Sequence, residues 1–285
     1  MIIDAHNHPD WLGYPYEKFI ADMDANGIDV TWLLPWECPI DEYEPSTAAV
    51  TPTYGAYGPI ALADCLPYIE KSPERFVLGY APDLRRPEAL DRLKAAVLIH
   101  GARVCGEVKL RMMYDNPDAL RIFRYCGDNG LPVVLHFDYE IEKTSRYPRS
   151  NWWYGGDIDT LERMLQKCPD TVFLGHAPGF WAHIAHGYTP GMGYYPDAPY
   201  TEPGRIWALL DAYPNLSCDL SGFSGRNALQ RSPDMARRFL TDYQDRALYA
   251  RDNFDGELRE LLDSLGLSAA VLDKLYHANA ERLIR

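Results

Sequence analysis

The sequence predicts an α/β fold, a single (β/α)8 TIM barrel spanning residues 1–285, with long aromatic-rich βα loops over its C-terminal face. Three observations predict it. Short β-branched runs alternate with amphipathic segments along the whole chain. Eight such strands in 285 residues match one barrel, whereas a doubly wound open sheet usually has fewer. No glycine-rich phosphate loop follows the first strand, and no repeat or low-complexity linker marks a second domain.

The elements follow in order. A strand at Ile2–Ala5 leads to an amphipathic helix at Tyr16–Asn26, and Val30–Leu34 forms the second strand. Phe76–Tyr80 is the third strand and Pro87–Ile99 the helix behind it. After a strand at Arg103–Lys109, Asn116-Pro117 signals a helix start with proline at the first helical position, so Pro117–Asp128 is helical. "DNGLP" closes that helix with Gly130 before the strand Pro132–His136. Ile158–Lys167, Thr171–His176, Arg205–Ala212 and Leu216–Leu220 repeat the alternation. Ser232-Pro233 opens a helix to Tyr243, and Ala247–Arg251 is the last strand.

Three connections are too long for turns: Pro35–Pro59, Phe137–Gly156 and Ala177–Pro203. Each follows a strand, which puts it on the face where barrel enzymes build their sites. They are rich in Pro, Gly and aromatic residues, including Trp36, Trp152, Trp153 and Trp181. Such loops serve as lids or pocket walls, or else pack on one another or form an oligomer contact. On the first reading Trp181 and Trp11 contact substrate, with Trp11 at the pocket mouth.

Composition narrows the partners. A net charge of −13 argues against nucleic acid or an anionic membrane, because binding phosphates needs a basic surplus. No run of eighteen apolar residues suggests a membrane span. No basic segment followed by an apolar stretch opens the chain, so a cytoplasmic location is expected. The six cysteines form no C-x-x-C pair and read as buried reduced thiols. A small-molecule substrate and a homo-oligomer are the partners expected.

The strand ends carry the chemistry. His6 and His8 close the first, Glu107 and Lys109 lie on the fourth, His136 ends the fifth, His176 the sixth, and the eighth runs into Asp252. His6 and His8 are two apart, so both point to one side of an extended chain. Four of the eight histidines and an aspartate thus converge at one end of the barrel, a mixed N/O set suited to a divalent ion, above all zinc. Glu107, Lys109 and Arg111 alternate in "CGEVKLRM". Glu107 reads as a ligand or as half of an ion pair with Lys109, and Lys109 is otherwise expected to bind substrate. Arg111 reads as a bidentate clamp for a substrate carboxylate or phosphate, or as a solvated loop residue.

In order and spacing, "DAHNH", "VVLHFD", "VFLGH" and "LYARD" resemble the amidohydrolase superfamily, most closely its amidohydrolase-2 branch of metal-dependent hydrolases and decarboxylases. "NLSCDLSG" and the tail "LDKLYHANAERLIR" extend the resemblance over the whole chain. It implies one or two divalent metal ions held by His6, His8, His136 and Asp252. Glu107 bridges two ions in some members. His176 would bind a second ion or hold substrate or water. Asp252 would be the general base toward metal-activated water, which makes hydrolysis of a small amide, ester or lactone the leading expectation. Non-oxidative decarboxylation of an aromatic or unsaturated acid is the alternative, and a TatD-like nuclease fits the acidic charge poorly. One departure stands out. Arg251 replaces the small residue usual before the last aspartate, and alternation turns it away from Asp252, where it needs a partner.

Overall fold

A computed structural model describes residues 1–38, 60–139 and 153–284. Eight parallel strands appear where the sequence places them: β1 (Ile3–Asn7), β2 (Val30–Leu33), β3 (Phe76–Leu78), β4 (Cys105–Val108), β5 (Val133–His136), β6 (Phe173–His176), β7 (Leu216–Asp219) and β8 (Ala247–Leu248). Their ladders form two sheets, β1-β2-β3 and β4-β5-β6-β7-β8. Both seams between the sheets are crossed by backbone hydrogen bonds. Tyr80 N donates to Val104 O at 2.9 Å, and Ala5 N donates to Tyr249 O at 3.0 Å. The order is that of a TIM barrel.

Helices α1 (Tyr16–Asn26), α2 (Leu62–Lys71), α3 (Ala89–His100), α4 (Pro117–Asp128) and α5 (Ile158–Lys167) follow the early strands. The alternation of apolar residues predicted all of these but α2. Asn116 caps α4 by accepting from Asp118 N at 3.0 Å. Gly130 takes a left-handed φ of 65° after it, and Leu131 N reaches back to Cys126 O, as a glycine stop requires. The stretch after β6 is not wholly loop: it opens with the short helix α6 (Pro178–Trp181). Later come α7 (Arg205–Ala212), α8 (Gly222–Gln230) and α9 (Pro233–Asp242). The predicted connections Pro35–Pro59 and Phe137–Gly156 lie partly, and Trp152 wholly, outside the described residues.

Two apolar clusters hold the barrel together. The inner one joins Ile3 and Ala5 of β1 to Trp32, Val134, Leu174 and Leu248, and Ala280 of the C-terminal segment packs onto it. The larger outer one lies between strands and helices. All six cysteines are buried and unbridged. Among the described residues no helix is long and apolar enough to cross a membrane.

Two bulges set the direction of the functional side chains. Asp4 pairs with Thr31 and Asn7 with Leu33, so three residue steps on β1 oppose two on β2. Cys105 pairs with Val133 and Val108 with Leu135, the same insertion on β4. An extra residue reverses the side-chain parity of everything beyond it. Ile3 and Ala5 face inward below the β1 bulge, and His6 and His8 do so above it.

Arg251 finds its partners in the helix layer. Its Nε donates to Asp4 Oδ2 at 2.9 Å, and a guanidinium nitrogen lies 2.8 Å from Asp22 Oδ2 on α1. Arg251 is only 2% exposed. Removing one member of a buried ion pair leaves the others charged and dry, at a cost of about 3–5 kcal/mol. Arg251→Met is therefore expected to lose about that much unfolding free energy in a urea titration, and a loss below about 1 kcal/mol would show the triad to be energetically idle.

Candidate metal centre

The ends of β1, β4, β5, β6 and β8 bring six predicted residues into one buried cluster. Three sets of ligand atoms, His6/His8/Glu107, His6/His176/Asp252 and Glu107/His136/His176, each lie within 4.8 Å of one another. Glu107 is central. Its Oε2 faces His8 Nε2 at 3.7 Å and His6 Nε2 at 4.0 Å, while its Oε1 faces His136 Nδ1 at 2.5 Å and His176 Nε2 at 3.5 Å. Each carboxylate oxygen therefore addresses a different pair of imidazoles. Asp252 adds Oδ1 at 3.3 Å from His8 Nε2 and Oδ2 at 4.0 Å from His176 Nε2. Asp252 is the more open member, with a side chain 22% exposed against 3% for Glu107.

The outer nitrogens of the rings are held by residues that sequence reasoning did not single out. Asp219, at the end of β7, accepts from His6 Nδ1 at 2.8 Å through Oδ2 and from His176 Nδ1 at 2.9 Å through Oδ1. Ser221 Oγ lies 2.6 Å from Asp219 Oδ1 and 2.9 Å from His176 Nδ1. Leu34 O takes His8 Nδ1, and Asp138 Oδ2 lies 3.0 Å from His136 Nε2. An acceptor on one ring nitrogen keeps the proton there and leaves a lone pair on the other. Three Nε2 lone pairs and His136 Nδ1 then point at two carboxylates. His6 Nε2 is buried with no hydrogen-bond partner. Such a set is short of positive charge, and a divalent cation fits it.

The proton affinities carry the same message. Burial disfavours the His6 imidazolium, but Asp219, with Asp252 and Glu107, pushes its pKa up to about 9. Burial and the Lys109 ammonium oppose the His136 imidazolium, yet Asp138 and Glu107 raise it to about 9 as well. Burial would raise Asp219, but the His176 and His6 rings hold it far below the usual carboxylate range. Asp252 is likewise lowered against its burial, by His8, His6 and His176. Imidazoles that hold a proton this strongly beside ionised carboxylates can exchange it for a metal ion. The donors are imidazole and carboxylate without thiolate, a set that does not select zinc over manganese.

The four residues predicted to touch substrate part company. Lys109 is 9% exposed, with its Nζ 5.4 Å from the ring centres of both Trp36 and Tyr154. Arg111 sits in the bend after β4 and is half-buried. Trp11 packs edge-on against His8 at 5.1 Å, next to Trp36. Trp181 is 1% exposed, donates from Nε1 to Asp219 O at 3.0 Å and packs on Phe239. The sequence reading put Trp181 in a pocket wall. Because α6 folds its ring inward, it instead supports the backbone of Asp219.

A signal for Asp219 was present. "NLSCDLSG" ends an apolar run in an acid, as "LYARD" does, and its neighbours Cys218 and Leu220 belong to the outer core. Asp138 likewise follows His136 by two residues in "VVLHFD".

A family model described as Amidohydrolase (Amidohydro_2) matches residues 3–285. No curated protein sequence matches the chain. Solved structures do. An uncharacterized TIM-barrel protein from Bordetella bronchiseptica aligns at 18% identity and TM-score 0.65, over 99% of this chain and 97% of that one. A 2,6-dihydroxybenzoate decarboxylase from Rhizobium aligns at 15% identity and TM-score 0.60, over 99% and 98%. A dihydroxybenzoic acid decarboxylase from a Polaromonas species, solved with manganese and the inhibitor 2-nitroresorcinol, aligns at 15% identity and TM-score 0.63, over 99% and 96%. At these identities the structural likeness establishes the fold.

Proposed function

Because this chain belongs to the amidohydrolase-2 family, we propose that it is a metal-dependent non-oxidative decarboxylase acting on an aromatic carboxylic acid. The observation that carries the reading is an ammonium between aromatic rings, Lys109 with Trp36 and Tyr154, beside a histidine–carboxylate cluster that suits a divalent ion. An aryl carboxylate offers both a negative group for the ammonium and ion and a flat apolar ring for the walls. Structural neighbours that are decarboxylases of dihydroxybenzoates support the same substrate class. Hydrolysis of an amide, ester or lactone, the leading expectation from sequence, gives the aromatic setting of Lys109 no task.

In this reading His6, His8, Glu107, His136, His176 and Asp252 are the ligand set for one or two ions. With two ions, Glu107 would serve as a ligand to both, since its oxygens face separate imidazole pairs. The ion supplies Lewis acidity toward the substrate's oxygens. Lys109 binds the anionic end, with Arg111 as a second cation for it. Asp252, held as the carboxylate, takes a proton from a ring hydroxyl of the substrate. It returns that proton to the ring carbon as the bond to the carboxyl group breaks and CO2 leaves. One proton from solvent then restores the hydroxyl.

The test is a paired screen on manganese- and zinc-loaded protein. CO2 release from 2,6-dihydroxybenzoate and other hydroxylated aryl acids is expected. Turnover confined to an ester, lactone and amide panel would reverse the assignment. Purified protein is expected to hold at least about one equivalent of divalent metal, and His6→Ala and His8→Ala to lose it. Unchanged metal content, read by mass spectrometry, would remove the pair from the ligand set, and two equivalents would support the bridging role of Glu107.

A further inference from the structure

Asp252 is held in an unusual way. It carries a left-handed φ of 52°, a conformation that costs a non-glycine residue about 1–2 kcal/mol. Something must hold it there. Its backbone N donates to His6 O at 2.8 Å, and its carbonyl accepts from Trp11 Nε1 at 3.0 Å. The next carbonyl, that of Asn253, accepts from Asn7 Nδ2 at 2.8 Å. All three grips come from the segment that carries His6 and His8. Trp11 is itself fixed. Asp10 and Leu12 on either side are left-handed too, at φ 54° and 52°. Asp10 exchanges two hydrogen bonds with Tyr68 of α2, at 3.0 and 2.9 Å. Three of the four non-glycine residues with positive φ among those described thus belong to this one device.

We propose that Trp11 is a positioning residue rather than part of the substrate wall. Its indole N–H locks the turn that aims the Asp252 carboxylate at the ion, while its ring braces His8. The proposal rests on the metal-site reading above and names a residue that works through Asp252. Groups that orient a metal ligand typically account for about 10–100-fold in metal affinity.

Trp11→Phe keeps a ring against His8 and removes the donor. It is expected to weaken Mn²⁺ binding about tenfold in a chelator competition. In an Asp252→Ala background, where no carboxylate remains to be aimed, the same change is expected to alter affinity less than about twofold. Equal loss in both backgrounds, or no loss in either, overturns the proposal. Hydrogen exchange over Tyr249–Phe254 in metal-free protein supplies an independent reading. It is expected to be faster in W11F, and unchanged exchange overturns the proposal whatever the titration gives. Wild-type protein that takes up no Mn²⁺ would refute the metal-site reading alone.

Discussion

Asp219→Asn is expected to weaken divalent-metal binding by at least about 100-fold, although Asp219 would touch no ion. The carboxylate accepts from two imidazoles at once, His6 at 2.8 Å and His176 at 2.9 Å. An amide keeps one oxygen and turns an NH2 toward the other ring, where a donor meets a donor. That ring must move its proton to the opposite nitrogen, which puts an N–H where a lone pair is needed. The other ring keeps an oxygen acceptor but loses the carboxylate charge that makes it a strong donor to metal, so both ligands are weakened, and each orienting contact accounts for about 10–100-fold. Chelator competition at neutral pH reads the loss, and the melting temperature of the metal-free protein separates it from a folding defect. Affinity within about threefold of wild type would mean that packing alone orients the two rings.

Asp252→Asn is expected to lower kcat by about 10²–10⁴, the range for a positioned proton-transfer group, with KM little changed. An amide is close in shape but can neither take nor return a proton at neutral pH. The metal content of the variant is read alongside. Metal retained with kcat lost assigns Asp252 to proton handling. Full activity with metal retained would remove it from the chemistry.

The strands and most of the helices were legible because burial writes itself into the sequence with a period, and the periods are read locally. Helix α2 escaped, since its proline, Pro67, breaks the helical signature that the rest of it carries. The ligand candidates were legible for a related reason. A histidine or carboxylate at the end of an apolar strand stands out against its neighbours. Asp219 stood out equally but has no histidine beside it, so its role became visible only through its two contacts. Trp181 was misread because a tryptophan suits a wall and a core alike, and only the fold of α6 decides between them.

Sequence alone determined that this chain forms eight strands with helices between them and gathers histidines and carboxylates at the C-terminal ends. Both follow from local pattern and chain order. Tertiary structure decided which way those side chains face. If Ile3 and Ala5 face the interior, strict alternation would send His6 and His8 into the helix layer, and only the extra residue between Asp4 and Asn7 brings them back. The bulge on β4 brings Glu107 inward in the same way. The partners of Arg251 lie 247 and 229 residues away in sequence, on β1 and α1. A register shift is defined by the strand alongside, and an ion pair by the helix behind, and neither neighbour can be read from the local sequence of the strand they act upon.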